Sequence, residues 1–461
     1  MRTRARADLG WGLGAQLLQY GAALALLPVL AARISSHDLG LWYVFVTIQS
    51  IVMLLELGFG TSLTRSFSYV FAGASRLQRE GILIDSSRGS VDPELLNVTI
   101  TTARIVYGGV AAVVAVTLAG PGTFYIASLG GLADSSLRAA WALYAIAIVL
   151  NIYFLWYQPL LLGSGRVQES YKATVIARGG FALLAALSLS VDSALWIVSA
   201  SYLAAVLGML TYARWHSATI TRTLPRRSVP LAAVRAHFDI LWHNAYRMGL
   251  VSLGAFFITK YSILLASSRY GLSTSAGFAV TLQVFAMIIA ASLVPFNALL
   301  PRIATLRLAG DEAALKIMLA SAFLLTWLVA LAAIGLVLLF GRDLLALAHA
   351  RTTLVAPALL WLIAVMSFLE LNHSACAMVI MSANRVPFLT AALASGAAIF
   401  VLSTAAAMAG QPLWVLVAIQ AVVQASYNNW KWPLDVYRSH RITAADFAAS
   451  ARLLARAGRV S

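Results

Sequence analysis

The chain has 461 residues, is 61% hydrophobic and only 11% charged, and carries a formal charge of +16 with one cysteine. Soluble globular chains carry about 25% charged residues, so no water-exposed protein could hide this much apolar sequence; the lone Cys376 excludes an internal disulfide and a cysteine metal cluster. The solvent that fits is lipid, where a spanning helix needs about 20 mostly apolar residues.

The sequence predicts twelve such helices, at 9–32, 41–63, 98–119, 139–162, 173–190, 193–213, 245–267, 275–300, 316–340, 354–382, 388–409 and 411–432. The opening MRTRARAD precedes an apolar run longer than the ~7–15 residues of a signal-peptide core, and reads as a retained first helix. The second helix carries Glu56 and closes on LLELGFGTSLTR, and the eighth closes on SLVPFNALLPR. A polar loop at 73–94 follows helix 2, and the longest external loop, about 120–138, holds only Asp134 and Arg138 among charged groups. The basic, proline-containing stretch TRTLPRRSVP lies at 221–230. The tail at 443–459 is expected as a short helix on the inner membrane surface, capped by Thr443 with Asp446 at the third helical position, and with Arg452, Arg456 and Arg459 on one face. The resulting layout is an N-terminal six-helix lobe (1–220), a cytoplasmic basic linker (221–240), a C-terminal six-helix lobe (241–432) and a cytoplasmic basic amphipathic tail (433–461).

Charge sets the orientation. Arg2, Arg4 and Arg6 place the N-terminus in the cytoplasm by the positive-inside rule. With twelve helices both termini are cytoplasmic, and the same side then receives most of the basic loops, Arg222, Arg226 and Arg227 among them, while the other receives only Arg33, Arg138, Arg269, Arg342 and Arg351. The positive charge is thus a topology signal that calls for anionic membrane lipids as partners, and nucleic acid is not needed to explain it.

The recurring ending reflects a repeat. A shift of 237 residues puts Gly12 on Gly249, Gly40 on Gly277, Phe59 on Phe296 and Arg65 on Arg302 without a gap. Further on, Arg166-Val167 falls on Arg385-Val386 at a shift of 219. Six helices is an even number, so both halves share one orientation. The fold class expected is an all-α integral membrane protein of about twelve transmembrane helices, in two six-helix lobes related by a pseudo-two-fold along the membrane normal, with a central cavity.

The stretch PVLAARISSHDLGLWYVFVTIQSIVMLLELGFGTSLTRSFS, with a proline near the end of helix 1, a short turn and a (D/E)LGFGxxLxR helix ending, resembles the polysaccharide-export branch of the multidrug/oligosaccharidyl-lipid/polysaccharide exporter superfamily. The GSGRV exit from helix 4 is similar as well. The resemblance implies a flippase of the bacterial inner membrane that moves an undecaprenyl-pyrophosphate-linked oligosaccharide from the cytoplasmic to the periplasmic leaflet by alternating access. Its partners would be that polyprenyl-pyrophosphate-linked glycan and other polysaccharide-export proteins.

Such a cargo needs cations along its path, and ionisable groups deep in a span are functional candidates by default. Lys260, in FFITKYSILL, is the best-placed cation; the competing reading is snorkelling to the outer interface. Arg65, Arg302 and Arg247 sit at cytoplasmic helix ends, suited to phosphate by their fork geometry and equally to complementing helix termini. Gln16, Gln19 and Tyr20 form one stripe of helix 1 and, with Gln49, Asn151, Gln283 and Asn297, suit a glycan path. Glu370 and His373 project from one face of helix 10 beside Asn372, and are candidates for ion coupling against a packing role. Glu56 is the third ion-coupling candidate, set against an ion pair with Arg65 or Arg104. No catalytic pair, metal motif or cofactor motif is present, which disfavours a membrane-embedded glycan-processing enzyme. A drug/cation antiporter of the same superfamily is the stronger alternative.

Overall fold

The computed structural model describes residues 22, 26–77, 83–84, 91–130, 134–192, 194–222, 228–308, 311–381 and 387–457. Helices dominate, because in lipid each backbone N–H and C=O must be paired within its own segment. Among the described residues eight helices are long and apolar enough to cross a membrane, or nine if the bent pair Gly249–Thr259 and Tyr261–Arg269 is one span. These spans make the chain a multi-pass membrane protein; 26–33, Val167–Ser188 and the pair Leu413–Ser426 and Asn428–Ser439 are helical as well. The chain divides into two compact units, residues 1–256 and 257–461.

The first unit opens with α1 (26–33), α2 (Ser36–Leu54) and α3 (Phe59–Phe71). In the polar loop, β1 (Ala74–Arg76) and β2 (Leu83–Ile84) pair antiparallel, with Ala74 opposite Ile84. There follow α4 (Pro93–Thr117), a π-helical turn (Leu118–Gly122), α5 (Thr123–Gly130), α6 (Ser135–Tyr153), α7 (Tyr157–Gly163), α8 (Val167–Ser188) and α9 (Leu195–Thr221). Then α10 (Leu231–Thr259) begins in this unit. Acids define several starts: Asp92 accepts from the N–H groups of Glu94 (2.8 Å) and Leu95 (3.2 Å) with Pro93 at the first position, and Asp134 accepts from Ser136 (2.9 Å). Residues 120–130, part of the external loop expected at about 120–138, are helical instead: the widened π turn at Leu118–Gly122 absorbs Pro121, which has no N–H to give, and the ladder resumes beyond it.

The core of this unit joins one face of α3 (Phe59, Leu63, Phe67, Val70) to one face of α4 (Leu96, Ile100, Ala103, Tyr107) and to Trp156, Tyr157, Leu160 and Leu161. The spacing within each set is that of a helix face. α3 and α7 approach so closely that a Cβ on Gly163 would collide with the Phe67 Cβ and lie 2.9 Å from the Ser68 nitrogen. The GSGRV turn is also explained: Gly165 is left-handed (φ 76), and the Arg166 guanidinium donates to the His216 carbonyl (2.7 Å) and the Thr219 hydroxyl (2.6 Å), tying the turn to the end of α9.

The second unit holds α11 (Tyr261–Arg269), α12 (Leu272–Ser292), α13 (Val294–Leu308), α14 (Glu312–Leu347), α15 (Pro357–Met381), α16 (Leu389–Met408), α17 (Leu413–Ser426), α18 (Asn428–Ser439) and α19 (Ala444–Ala457). Its core gathers Phe296, Ile303, Leu319, Phe323, Cys376 and Val436. The tail helix α19 forms, and the Asp446 carboxylate accepts from the Thr443 N–H (2.7 Å) and hydroxyl (2.8 Å). Its apolar side, however, packs on protein: Phe447 stacks on Trp327 at 5.3 Å, and the buried Ser450 donates to the Ile317 carbonyl at 3.1 Å. The tail helix is thus docked on α14. At a shift of 237, Glu56 and Gly58 in the α2–α3 break fall on Leu293, the residue between α12 and α13, and on Pro295, in the first turn of α13.

Candidate functional site

The sharpest construction in the first unit is the break between α2 and α3. Leu57 (φ 51) and Gly58 (φ 74) are both left-handed, which frees the N–H groups at the start of α3 from their helical acceptors. Glu56 supplies the missing acceptors from within the break. Its carboxylate accepts from Gly58 N–H at 3.0 Å and from Gly60 N–H, and receives the Tyr107 hydroxyl of α4 at 2.7 Å. All three partners donate, the arrangement suited to an ionised carboxylate, and the negative charge sits at the positive end of α3. Leu57, which pays steric strain for its backbone, is wedged against α10, where a Cβ on Gly249 would collide with its side chain and lie 3.0 Å from its Cα.

The ion pair of Glu56 with Arg65 or Arg104 does not form. Arg65 is exposed on α3, and Arg104 lies over the Trp156 ring at 4.9 Å from its centroid. The carboxylate's needs are met by backbone and a phenol, a solution that the spacing of arginines in the sequence could not reveal.

Lys260 is the residue between α10 and α11. Its own backbone (φ −124, ψ −25) is outside the helix, and the axis bends by 41° there. The neighbours on either side pin the bend within the second unit: Phe257 and Tyr261 lie 5.0 and 5.1 Å from the Phe400 ring of α16, and the Tyr261 hydroxyl is 2.7 Å from that of Thr404. The Lys260 ammonium is half-buried and makes no hydrogen bond or ion pair among the described residues.

The predicted cluster on α15 separates by role. Asn372 accepts from the indole of Trp327 and the hydroxyl of Tyr437, each at 3.2 Å. The His373 Nδ1 is 3.1 Å from the Asn428 carbonyl, at the break between α17 and α18 where Tyr427 leaves helical geometry (φ −145). Asn428 itself donates to Ser395 (2.9 Å) and Gln424 (3.0 Å) and accepts from Trp432 (3.1 Å). This buried polar network was not foreseen; the NNW stretch at 428–430 is its signal in the sequence. Glu370, one turn from His373, is half-buried and has no hydrogen-bond or ion-pair partner among the described residues.

The other candidates are scattered. Gln16, Gln19 and Tyr20 lie outside the described residues, as does the side chain of Arg247 on α10. Arg302 and Asn297 are exposed on α13, while Asn151 and Gln283 are half-buried, without side-chain hydrogen bonds among the described residues. Gln49 is engaged in packing: it receives the Tyr144 hydroxyl at 2.6 Å and donates to that of Tyr202 at 2.5 Å, inside an aromatic cluster with Trp42, Phe45 and Phe181.

No protein-family model matches the chain, and no curated protein matches it in sequence. Solved structures do match in fold. An inward-facing multidrug resistance MATE family transporter of the MOP superfamily superposes with a TM-score of 0.68 at 12% identity, over 93% of this chain and 96% of that one. Lipid II flippase MurJ, in an inward closed conformation, gives 0.61 at 10% identity over 96% and 89%. MATE in a straight conformation gives 0.54 at 11% identity over 95% and 96%. Over nearly its whole length, then, the chain has the all-helical membrane fold of the MATE and MurJ transporters.

Proposed function

We propose that the protein is a flippase for a polyprenyl-pyrophosphate-linked oligosaccharide, carrying the polar head from the cytoplasmic to the periplasmic leaflet of a bacterial inner membrane by alternating access of its two halves. The observation that carries this is Lys260: a half-buried ammonium at a 41° bend in an otherwise apolar helix pair, with no ion-pair partner among the described residues. An uncompensated membrane cation costs about 2.5–3.5 kcal/mol on insertion scales, an expense that a transient pyrophosphate offsets. The fold shared with a lipid II flippase supports a lipid-linked cargo. In this scheme Arg65, Arg302 and Arg247 greet the phosphates at the cytoplasmic mouth, Lys260 meets them further in, and Gln16, Gln19, Tyr20, Asn151, Gln283 and Asn297 face the sugars.

Substitution tests it. Lys260→Ala is expected to cripple export at normal protein abundance and to accumulate the lipid-linked intermediate, while Lys260→Arg keeps much of the activity because the charge remains. Normal export by the alanine variant would overturn the assignment. A second reading, a drug/cation antiporter, rests on Glu370, a half-buried acid with no ion-pair partner among the described residues, and on the fold shared with the MATE transporters. It requires that export of cationic drugs, and not of glycan, depend on Glu370.

A further inference from the structure

A groove of about 540 Å³ opens on the first unit beside the α2–α3 break. Leu55 and Leu57 form one wall, Ile105, Gly109 and Val113 of α4 the floor, and Trp242 of α10 the far side. Thr102, at one edge, spends its hydroxyl on the Val98 carbonyl at 2.8 Å, so among the described lining residues the one charged group offered to an occupant is Arg235. Ile105, Val113 and Trp242 are 51%, 55% and 41% exposed, which a water-filled passage would penalise and a hydrocarbon chain would cover. The floor is open: a Cβ on Gly109 would meet no atom within 4 Å.

Arg235 stands exposed at the rim, near the start of α10, and makes no hydrogen bond or ion pair among the described residues. Asp239, one turn further along the same helix, is exposed and forms no ion pair with it. A long apolar trough with one free guanidinium at its edge is complementary to a lipid with a phosphate head. Basic residues near the cytoplasmic surface favour the anionic lipids of that leaflet over neutral ones.

We propose that this groove is a binding site for an anionic phospholipid of the cytoplasmic leaflet, one acyl chain lying along Leu55, Leu57 and Gly109 and the phosphate engaged by Arg235. The occupant is a resident lipid, distinct from any transported one. Because Leu55 and Leu57 flank Glu56, the bound chain packs directly on the broken helix and supports it.

The test uses the full-length protein in neutral detergent, with dioleoyl phosphatidylglycerol, dioleoyl phosphatidylcholine and undecaprenyl phosphate as probes. Bound lipid is read by native mass spectrometry and the unfolding midpoint by intrinsic fluorescence. Phosphatidylglycerol is expected to bind about fivefold more tightly than phosphatidylcholine, the worth of one interfacial arginine, and to raise the midpoint. Arg235→Gln should erase that preference. Gly109→Trp should remove the phosphatidylglycerol adduct while leaving the lipid-free midpoint near the wild-type value; Val113→Trp, at the exposed end of the floor, serves the same purpose if Gly109→Trp does not fold. Undiminished phosphatidylglycerol binding by the filled variants, or an unchanged preference in Arg235→Gln, would overturn the site. Displacement of phosphatidylglycerol from the wild type by undecaprenyl phosphate at lower concentration would assign the groove to an isoprenoid chain and overturn the phospholipid proposal, leaving the transport reading untouched.

Discussion

Removing the Glu56 carboxylate is expected to destabilise the first unit by undoing the α2–α3 break from inside. Glu56→Ala leaves three donors without their acceptor: Gly58 N–H, Gly60 N–H and the Tyr107 hydroxyl. Each orphaned donor costs about 1–3 kcal/mol when it stays dry; the site is half-buried, water repairs part of the loss, and a total of about 3 kcal/mol follows from the low end of that range. Glu56→Gln should fall between, since its amide oxygen still accepts while its NH₂ confronts a donor. Tyr107→Phe removes one donor and should cost about 1 kcal/mol. The combined Glu56→Ala, Tyr107→Phe variant should then lose less than the sum, because both substitutions delete the same bond. The assay is the unfolding midpoint in detergent, calibrated by denaturant titration. A Glu56→Ala midpoint equal to wild type, or strictly additive losses in the double variant, would refute this structural role of the carboxylate and return Glu56 to the ion-coupling candidates.

Three further outcomes are expected. Gly163→Val should lower the midpoint by about 1–3 kcal/mol, the usual range for overpacking, because its Cβ would lie 2.9 Å from the Ser68 nitrogen; a midpoint unchanged in the same assay would contradict the close α3–α7 approach. Burial pushes the His237 imidazole, near the start of α10 and outside the spans, down to about 4. The unfolded chain protonates first, near 6.5, so stability present at neutral pH is lost as pH falls from there to about 4, amounting to about 3 kcal/mol in full; His237→Leu should flatten the midpoint over that window, and an equal slope in both proteins would exclude His237 as the cause. Glu370→Gln should reduce transport in vesicles and weaken its dependence on pH or sodium, whereas an unaltered ion dependence in an impaired variant would point to packing.

Local signals in the sequence translated well. Thr443 with Asp446 became a helix start, because caps depend on residues a turn apart, whereas α4 begins at Pro93, inside the stretch expected as polar loop. The breaks at 55–58 and at Leu293 fall inside the segments 41–63 and 275–300, which were expected as continuous helices; an apolar run shows its length but not where its ladder is interrupted. What depended on distant partners was illegible. Tyr107, which completes the Glu56 site, lies 51 residues away in the chain. Gln49 looked like a sugar ligand because a lone amide in a span has no visible partner, yet the fold supplies two tyrosine hydroxyls from 95 and 153 residues away. The π turn at 118–122 was hidden by the opposite effect: GPG is a strong breaker signal, and the apolar run beyond it, read locally, could not reveal that the helix resumes.

The paired helix breaks differ in reversibility. Pro295 has no amide hydrogen, so the α12–α13 junction can never recover a complete hydrogen-bond ladder, whatever its surroundings. Gly58, the matching residue, keeps its N–H on loan to a side chain. If the carboxylate lets go, that hydrogen can return to a main-chain acceptor and α2 can run unbroken into α3. Straightening by hydrogen-bond exchange is therefore open to the α2–α3 junction and closed to the α12–α13 junction.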